Sequence, residues 1–231
     1  TVDRLLDEMD EADRKSLQGW YWFDWANQAF ALTVITVVVP TLLSNMFNLA
    51  NGGSADYGGM TFTGDSFYAV VLGISSVFVA IVSPVLGAIA DRMPIKKKIL
   101  KVYTVVGILF TGLMGLAPYM DEDSSYKFLA ICLIMGNIGF AGGHAIYSAF
   151  LPYLGDKRLM DHISSWGYAY GFLGGCILLT FHLAVGLKFG FENPDVQCFV
   201  FVTSALWWLG FSIPMFLNTP EPEIPNPKEY S

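Results

Sequence analysis

Charge is scarce in this sequence: Asp, Glu, Lys and Arg make up 14% of 231 residues, against about 25% in an ordinary soluble domain. That shortage argues against a water-soluble fold. Hydrophobic residues at 54%, with 23 glycines besides, argue the same way. Cysteine is nearly absent as well. Cys132, Cys176 and Cys198 lie in or beside apolar stretches, without CxxC spacing or neighbouring His, and read as packing residues. No P-loop, HExxH or Ser-His-Asp set occurs, so no enzyme, metal or cofactor is expected. The net charge of −7 is local: six acids crowd the first thirteen residues and three form Asp121-Glu122-Asp123. Acidity therefore belongs to the termini and loops, and nucleic acid is not an expected partner.

What is present is length of apolar run. Stretches free of Asp, Glu, Lys and Arg extend over Trp25–Ala55, Ser66–Ala90, Val102–Met120, Phe128–Gly155, His162–Leu187 and Val196–Pro220. An α-helix needs about 20 residues to cross a hydrocarbon core about 30 Å thick. The expected fold is an all-α integral membrane protein, a six-helix bundle over residues 20–217. Its spans are placed near 25–43, 67–90, 102–119, 128–151, 163–187 and 196–217. Continuous runs, rather than ten-residue alternations, exclude a barrel.

Positive charge sets the expected orientation, since Lys and Arg stay on the cytoplasmic side. With both termini cytoplasmic, Arg4, Arg14, Lys15, Arg92, Lys96, Lys97, Lys98, Lys101, Lys157, Arg158 and Lys228 lie inside, and only Lys127 and Lys188 outside. Residues 1–19 form a cytoplasmic segment in which Leu5, Leu6, Met9 and Ala12 recur at helical spacing. An amphipathic helix over Val2–Leu17 follows, and its acidic face suits a solvated or protein-docked position better than one on anionic lipid. Residues 218–231 read as a Pro-rich linker. The first residue is not Met, and both ends are expected to be cut points in a longer chain.

Polar groups inside apolar spans are costly, and are either functional or helix staples. Asp24, Asn27 and Gln28 share one helical face, which should meet a water-filled cavity or other helices. Alternatively, Asp24 is an interfacial acid favoured by the helix dipole. Trp20, Trp22 and Trp25 suit an aromatic belt. His144 and His182 lie at depth without a carboxylate in their own spans, so hydrogen-bonded packing is the simpler role for each. Gly139 and Gly143 make one GxxxG, and Gly167, Gly171 and Gly175 a double one. Both serve close helix approach, whether as static pairs or as a sliding gate.

The loop Gly87–Lys98, G-A-I-A-D-R-M-P-I-K-K-K, resembles the signature loop of the major facilitator superfamily, with Pro94 and Ile95 departing from its usual Gly and basic residue. Gly87, Asp91, Arg92, Lys96 and Lys97 are its gating-loop candidates. The Asp91 carboxylate is opposed by the helix dipole and needs a partner. The phrases at Trp20–Phe30, Ser83–Arg92, Asn137–Pro152 and Ser164–Gly175 resemble the vacuole effluxer branch, the autophagy-related amino-acid exporter family and its bacterial relatives.

That resemblance implies one half of a major facilitator fold, the N-terminal six spans, exporting small solutes, amino acids among them, by alternating access. It makes Asp24, Asn27, Gln28, Asn137, His144 and Tyr147 the substrate or coupling candidates. Expected partners are the lipid bilayer, a small-molecule substrate, a proton, and a second six-helix half in the same or another chain. The membrane would be vacuolar or another endomembrane in a eukaryote and the plasma membrane in a bacterium. Competing readings are a dimerising half-transporter and a non-transporting membrane interaction protein.

Overall fold

Apolar sequence away from water must satisfy its own backbone hydrogen bonds, and here it does so almost wholly as helix. The computed structural model describes residues 2–223. Among them six helical stretches are long and apolar enough to cross a membrane: Glu11–Asn51, Gly64–Ala90, Lys96–Tyr119, Glu122–Tyr153, Lys157–Phe189 and Pro194–Asn218. In order the elements are α1 (Val2–Asp7), α2 (Glu11–Ala29), a π-helical segment (Phe30–Val38), α3 (Val39–Asn51), β1 (Ser54–Tyr57), β2 (Met60–Thr63) and α4 (Gly64–Ala90). After these come α5 (Lys96–Leu113) with a 3-10 extension (Met114–Tyr119), α6 (Glu122–Ser148), α7 (Met160–Phe189) and α8 (Pro194–Asn218).

The N-terminal segment corrects the sequence reading, and the first inter-span loop adds an element that reading did not address. The stretch Val2–Leu17 is not one helix: it breaks after Asp7, and the Asp10 side chain caps α2 by accepting from the Asp13 amide at 2.7 Å. Leu5, Leu6 and Met9 then pack on the apolar core at this end of the bundle, so the segment docks on protein. The first inter-span loop is also not irregular. Gly58 and Gly59, at φ +59° and +82°, turn an antiparallel hairpin that pairs Tyr57 with Met60 and Ser54 with Thr63. Two successive positive φ values are what a two-residue hairpin needs, and Gly adopts them freely. The hairpin ties into the bundle where the Tyr57 and Tyr126 hydroxyls meet at 3.1 Å.

The π-helical segment has a local cause. Seven consecutive β-branched residues, Thr33 to Val39, crowd the helix and precede Pro40, whose ring collides with a carbonyl one turn back and which lacks an N–H. Widening the turn relieves both: the Val39 amide bonds to the Val34 carbonyl, and the Thr36 hydroxyl donates to the Ala31 carbonyl at 2.7 Å. The first span therefore crosses its proline without a break.

The six spans pack as two related triplets. α2 lies against α7 and α8, while α6 lies against α4 and α5, and α5 meets α8 between them. Exchanging the first three spans for the last three reproduces this pattern, with α2 and α6 running in opposite directions. That is an inverted repeat. Polar clamps obey the same exchange: Asn137 of α6 donates to Ser75 of α4 at 2.7 Å, and Thr33 of the first span meets His182 of α7 at 3.3 Å. Every Lys and Arg assigned above to one side gathers at the end that carries α1, apart from Lys228, which lies outside the described residues, as does most of the expected linker. Lys127 and Lys188 sit at the opposite end.

Candidate functional site

α2 presents Trp20, Asp24 and Gln28 along one ridge, and α7 presents Gly167, Gly171 and Gly175 along a facing groove. The helices run parallel and in step. A Cβ on Gly167 would meet the Trp20 ring, one on Gly171 the Asp24 carboxylate, and one on Gly175 the Gln28 backbone and side chain. The glycines of α7 are therefore the space into which the polar face of α2 fits. Gly139 on α6 does a different job, meeting the backbone of Gly107 and Tyr103 on α5, while Gly143 rests beside the Tyr103 side chain.

On its other side α2 meets α6. Tyr147 is sandwiched between Trp20, stacked at 4.4 Å and 9°, and Phe23 at 5.2 Å. The Trp20 indole donates to the Tyr147 carbonyl at 3.2 Å. Trp20, 4% exposed, is thus a core residue and not part of an aromatic belt. The pairs Phe23–Tyr147 and Phe30–Phe140 fix an antiparallel register that sets Asn27 level with Gly143 and His144.

This places four groups near one level where α2 meets α6 and α7. Asp24 and Asn27 are 2% and 1% exposed. The Asp24 Oδ1, the Asn27 Oδ1, the His144 Nδ1 and the Tyr147 hydroxyl are all buried without a hydrogen-bond partner among the described residues. Asp24 lies within Coulombic reach of the Tyr147 hydroxyl, and Gln28 sits beside it. Each unsatisfied group costs about 1–3 kcal/mol. Four such groups gather here on two facing helices. The set comprises a carboxylate, an amide oxygen, an imidazole and a phenol, which suits an ammonium group, a hydroxyl or a transferable proton.

Two of the residues singled out from sequence separate from the rest. Asn137 lies ten residues from Tyr147, about 15 Å along α6, and is committed to Ser75. His182 is a hydrogen-bonded packing residue. The Thr203 hydroxyl donates to the Phe199 carbonyl at 2.6 Å, so it accepts from His182 Nε2 at 2.9 Å, which leaves Nδ1 to accept from Thr33. His144, by contrast, keeps Nδ1 unpartnered. Sequence reasoning missed Trp25, whose buried indole N–H is also unpartnered and whose ring stacks on Trp207 at 5.9 Å. The signal was its place between Asp24 and Asn27.

The turn after α4 supplies the partner that Asp91 requires: Lys96 Nζ lies 2.7 Å from its Oδ1, with the Lys96 side chain buried and that of Asp91 exposed. Lys96 also faces the Tyr153 ring at 5.3 Å. The Lys97 amide donates to Glu221 Oε2 at 2.8 Å. A Cβ on Gly87 would meet only open space. Among the described residues no packing explains that glycine.

Comparison with known proteins agrees with this architecture. The chain is 28% identical over 87% of its length to an uncharacterized MFS-type transporter, YxiO, of Bacillus subtilis, covering 46% of that protein. It is 24% identical to autophagy-related protein 22 of Kluyveromyces lactis and 21% identical to that of Candida glabrata, over 89% and 94% of this chain and 47% of each relative. The chain thus spans about half the length of the curated relatives it matches. No solved structure matches it. The family model described as vacuole effluxer Atg22 like covers residues 12–230, and the chain belongs to that family.

Proposed function

We propose that this bundle is the first half of a secondary transporter that exports small solutes, amino acids among them, by alternating access. The observation that carries the reading is the set of unpartnered polar groups of Asp24, Asn27, His144 and Tyr147, buried where two antiparallel helices meet. In a bilayer such groups are retained when a substrate or proton uses them. The inverted repeat supports rocking about that level, and the outward apolar face of α4, with Val70, Ile74, Val77 and Ile81 exposed, suits a second six-helix half. The end rich in Lys and Arg is the cytoplasmic one by the charge rule, which is the side where the first span begins and the sixth finishes. The compartment is a vacuolar or other endomembrane in a eukaryote and the plasma membrane in a bacterium. The description of the family as a vacuole effluxer favours efflux, and the carboxylate–phenol–imidazole set favours an amine-bearing substrate with a proton as the coupling ion.

Proteoliposome flux with an amino-acid panel, across a range of internal pH, tests this. Asp24→Asn keeps the size of the side chain and removes its charge, so it should cut flux at least about tenfold, roughly 1.4 kcal/mol, and flatten the pH dependence. Unchanged flux with an unchanged pH profile would overturn the role of Asp24. No flux for any amino acid in the unaltered protein would overturn the substrate class.

A further inference from the structure

The first turn of α5 lacks what a helix start needs. Its N-cap position is Ile95, whose side chain has no hydrogen-bonding atom, and Lys96, Lys97 and Lys98 follow with no acid among them. Open amides and clustered cations are both unfavourable at the positive end of a helix dipole. Helices α2, α4, α6 and α8 are capped from the adjoining residue, by Asp10, Thr63, Asp121 and Asn193. α5 instead takes its acceptor from a residue 124 positions along the chain: Glu221 Oε2 accepts from the Lys97 amide at 2.8 Å. The segment after α8 therefore does not leave the bundle. Thr219, 1% exposed, donates its hydroxyl to the Ser16 carbonyl of α2 at 2.8 Å, and Pro222 is buried on the far side of Glu221.

The fastening is nevertheless slight. Pro220 and Pro222 have no N–H, so neither can donate to a helix or a sheet ladder. The second carboxylate oxygen, Glu221 Oε1, is buried without a hydrogen-bond partner, and Glu221 forms no ion pair among the described residues. Behind the segment lies a cavity of about 310 Å³, walled by Ser16, Phe150, Tyr153 and Leu154 and covered by residues 219–223. A segment packed flush against the bundle would leave no such space. The point of attachment is also the turn in which Lys96 pairs with Asp91, so the end of the sixth span is tied to the gating-loop residues.

We propose that residues 219–223 are a releasable strap, pinned by Glu221 to the first turn of α5, which must come off before the turn at 91–96 can move. The role rests on the alternating-access reading above, in which that turn belongs to the gate. One carboxylate supplies both the missing acceptor and the missing negative charge, so the contact is specific. Because the strap spans an unfilled cavity and belongs to no helix, it can part without unfolding one.

The test uses the full-length protein in two arms. In the first, amide hydrogen exchange in detergent micelles is read by mass spectrometry on peptides covering residues 96–101. Glu221→Ala should speed exchange there roughly tenfold, and Glu221→Gln, which keeps a neutral acceptor, should do so by less, while exchange in α6 is unchanged. In the second arm a carbodiimide joins the Glu221 carboxylate to the Lys97 amine, which lies within Coulombic reach, and the link is mapped by peptide mass spectrometry. Amino-acid flux in proteoliposomes should then fall roughly tenfold. Glu221→Gln given the same treatment cannot form the link and should keep its untreated flux. Unchanged exchange in Glu221→Ala overturns the strap, as does full flux with the link in place or an equal fall in both proteins. Absence of flux before treatment counts against the transporter reading instead, and the strap then stands or falls on the exchange arm.

Discussion

The helices α6 and α7 carry the same small-residue spacing and put it to different uses. On α6, Gly139 admits the backbone of α5 at Gly107 and Tyr103; on α7, Gly171 admits the Asp24 carboxylate. One seam is backbone against backbone and has nothing that can yield. The other faces side chains that can change rotamer, and those side chains belong to the polar site. A GxxxG motif therefore reports close approach, and only the partner surface decides whether that approach is a fixed joint or part of a working site.

That contrast can be broken most forcefully at Gly139. Gly139→Ala drives a methyl into immovable backbone and should cost about 3 kcal/mol, lowering Tm and the yield of monodisperse protein on detergent gel filtration. Gly171→Ala meets a carboxylate and the Gln28 chain, which can shift, so the loss should be nearer 1 kcal/mol with folded protein recovered. Its flux should nevertheless fall by as much as for Asp24→Asn. If Gly171→Ala transports normally, the α7 seam is a static joint like the α6 seam, and the contrast fails.

Smaller effects sharpen the comparison by way of the two clamps. Asn137→Ala and Thr33→Val each remove one interhelical hydrogen bond, worth about 0.6 kcal/mol on average in a membrane protein. Set by the inverted repeat on different helix pairs, the two should add within about 0.5 kcal/mol, as read by thermal unfolding of the double variant. Smallest of all is the exposed pair in the turn before α7. The Arg158 guanidinium holds the Asp156 carboxyl down to about 2. A depressed carboxylate stabilises above its ordinary pKa, and the contribution fades as pH falls toward 2. Arg158→Ala should therefore lower Tm only slightly near neutral pH, because both groups are solvated, and that small difference should vanish toward pH 2.

The degree to which this was legible beforehand varies by element. Six helices and their alternation could be read because membrane-length apolar runs admit little else. The Gly58-Gly59 pair between alternating residues is a hairpin signal, but it lies outside the uncharged apolar helices that the run lengths identify. Trp20 was misplaced because tryptophan at a span boundary commonly anchors in the interface, and only the groove left by Gly167 reveals that it turns inward. Asp24, Asn27 and His144 stood out as polar residues at depth and Tyr147 through the family resemblance, but their grouping depends on the α2–α6 register. Asn137 carried the same signal and proved to be committed elsewhere.

Sequence alone determined that this chain crosses a membrane as six helices with its basic residues at one end, because burial of apolar length and the placement of charge are properties of each segment by itself. Tertiary structure decided which glycines are joints, which histidine is satisfied, and which polar groups remain unpartnered. Those outcomes depend on what stands opposite each residue, and that is set by helix pairing and register across more than a hundred residues of chain.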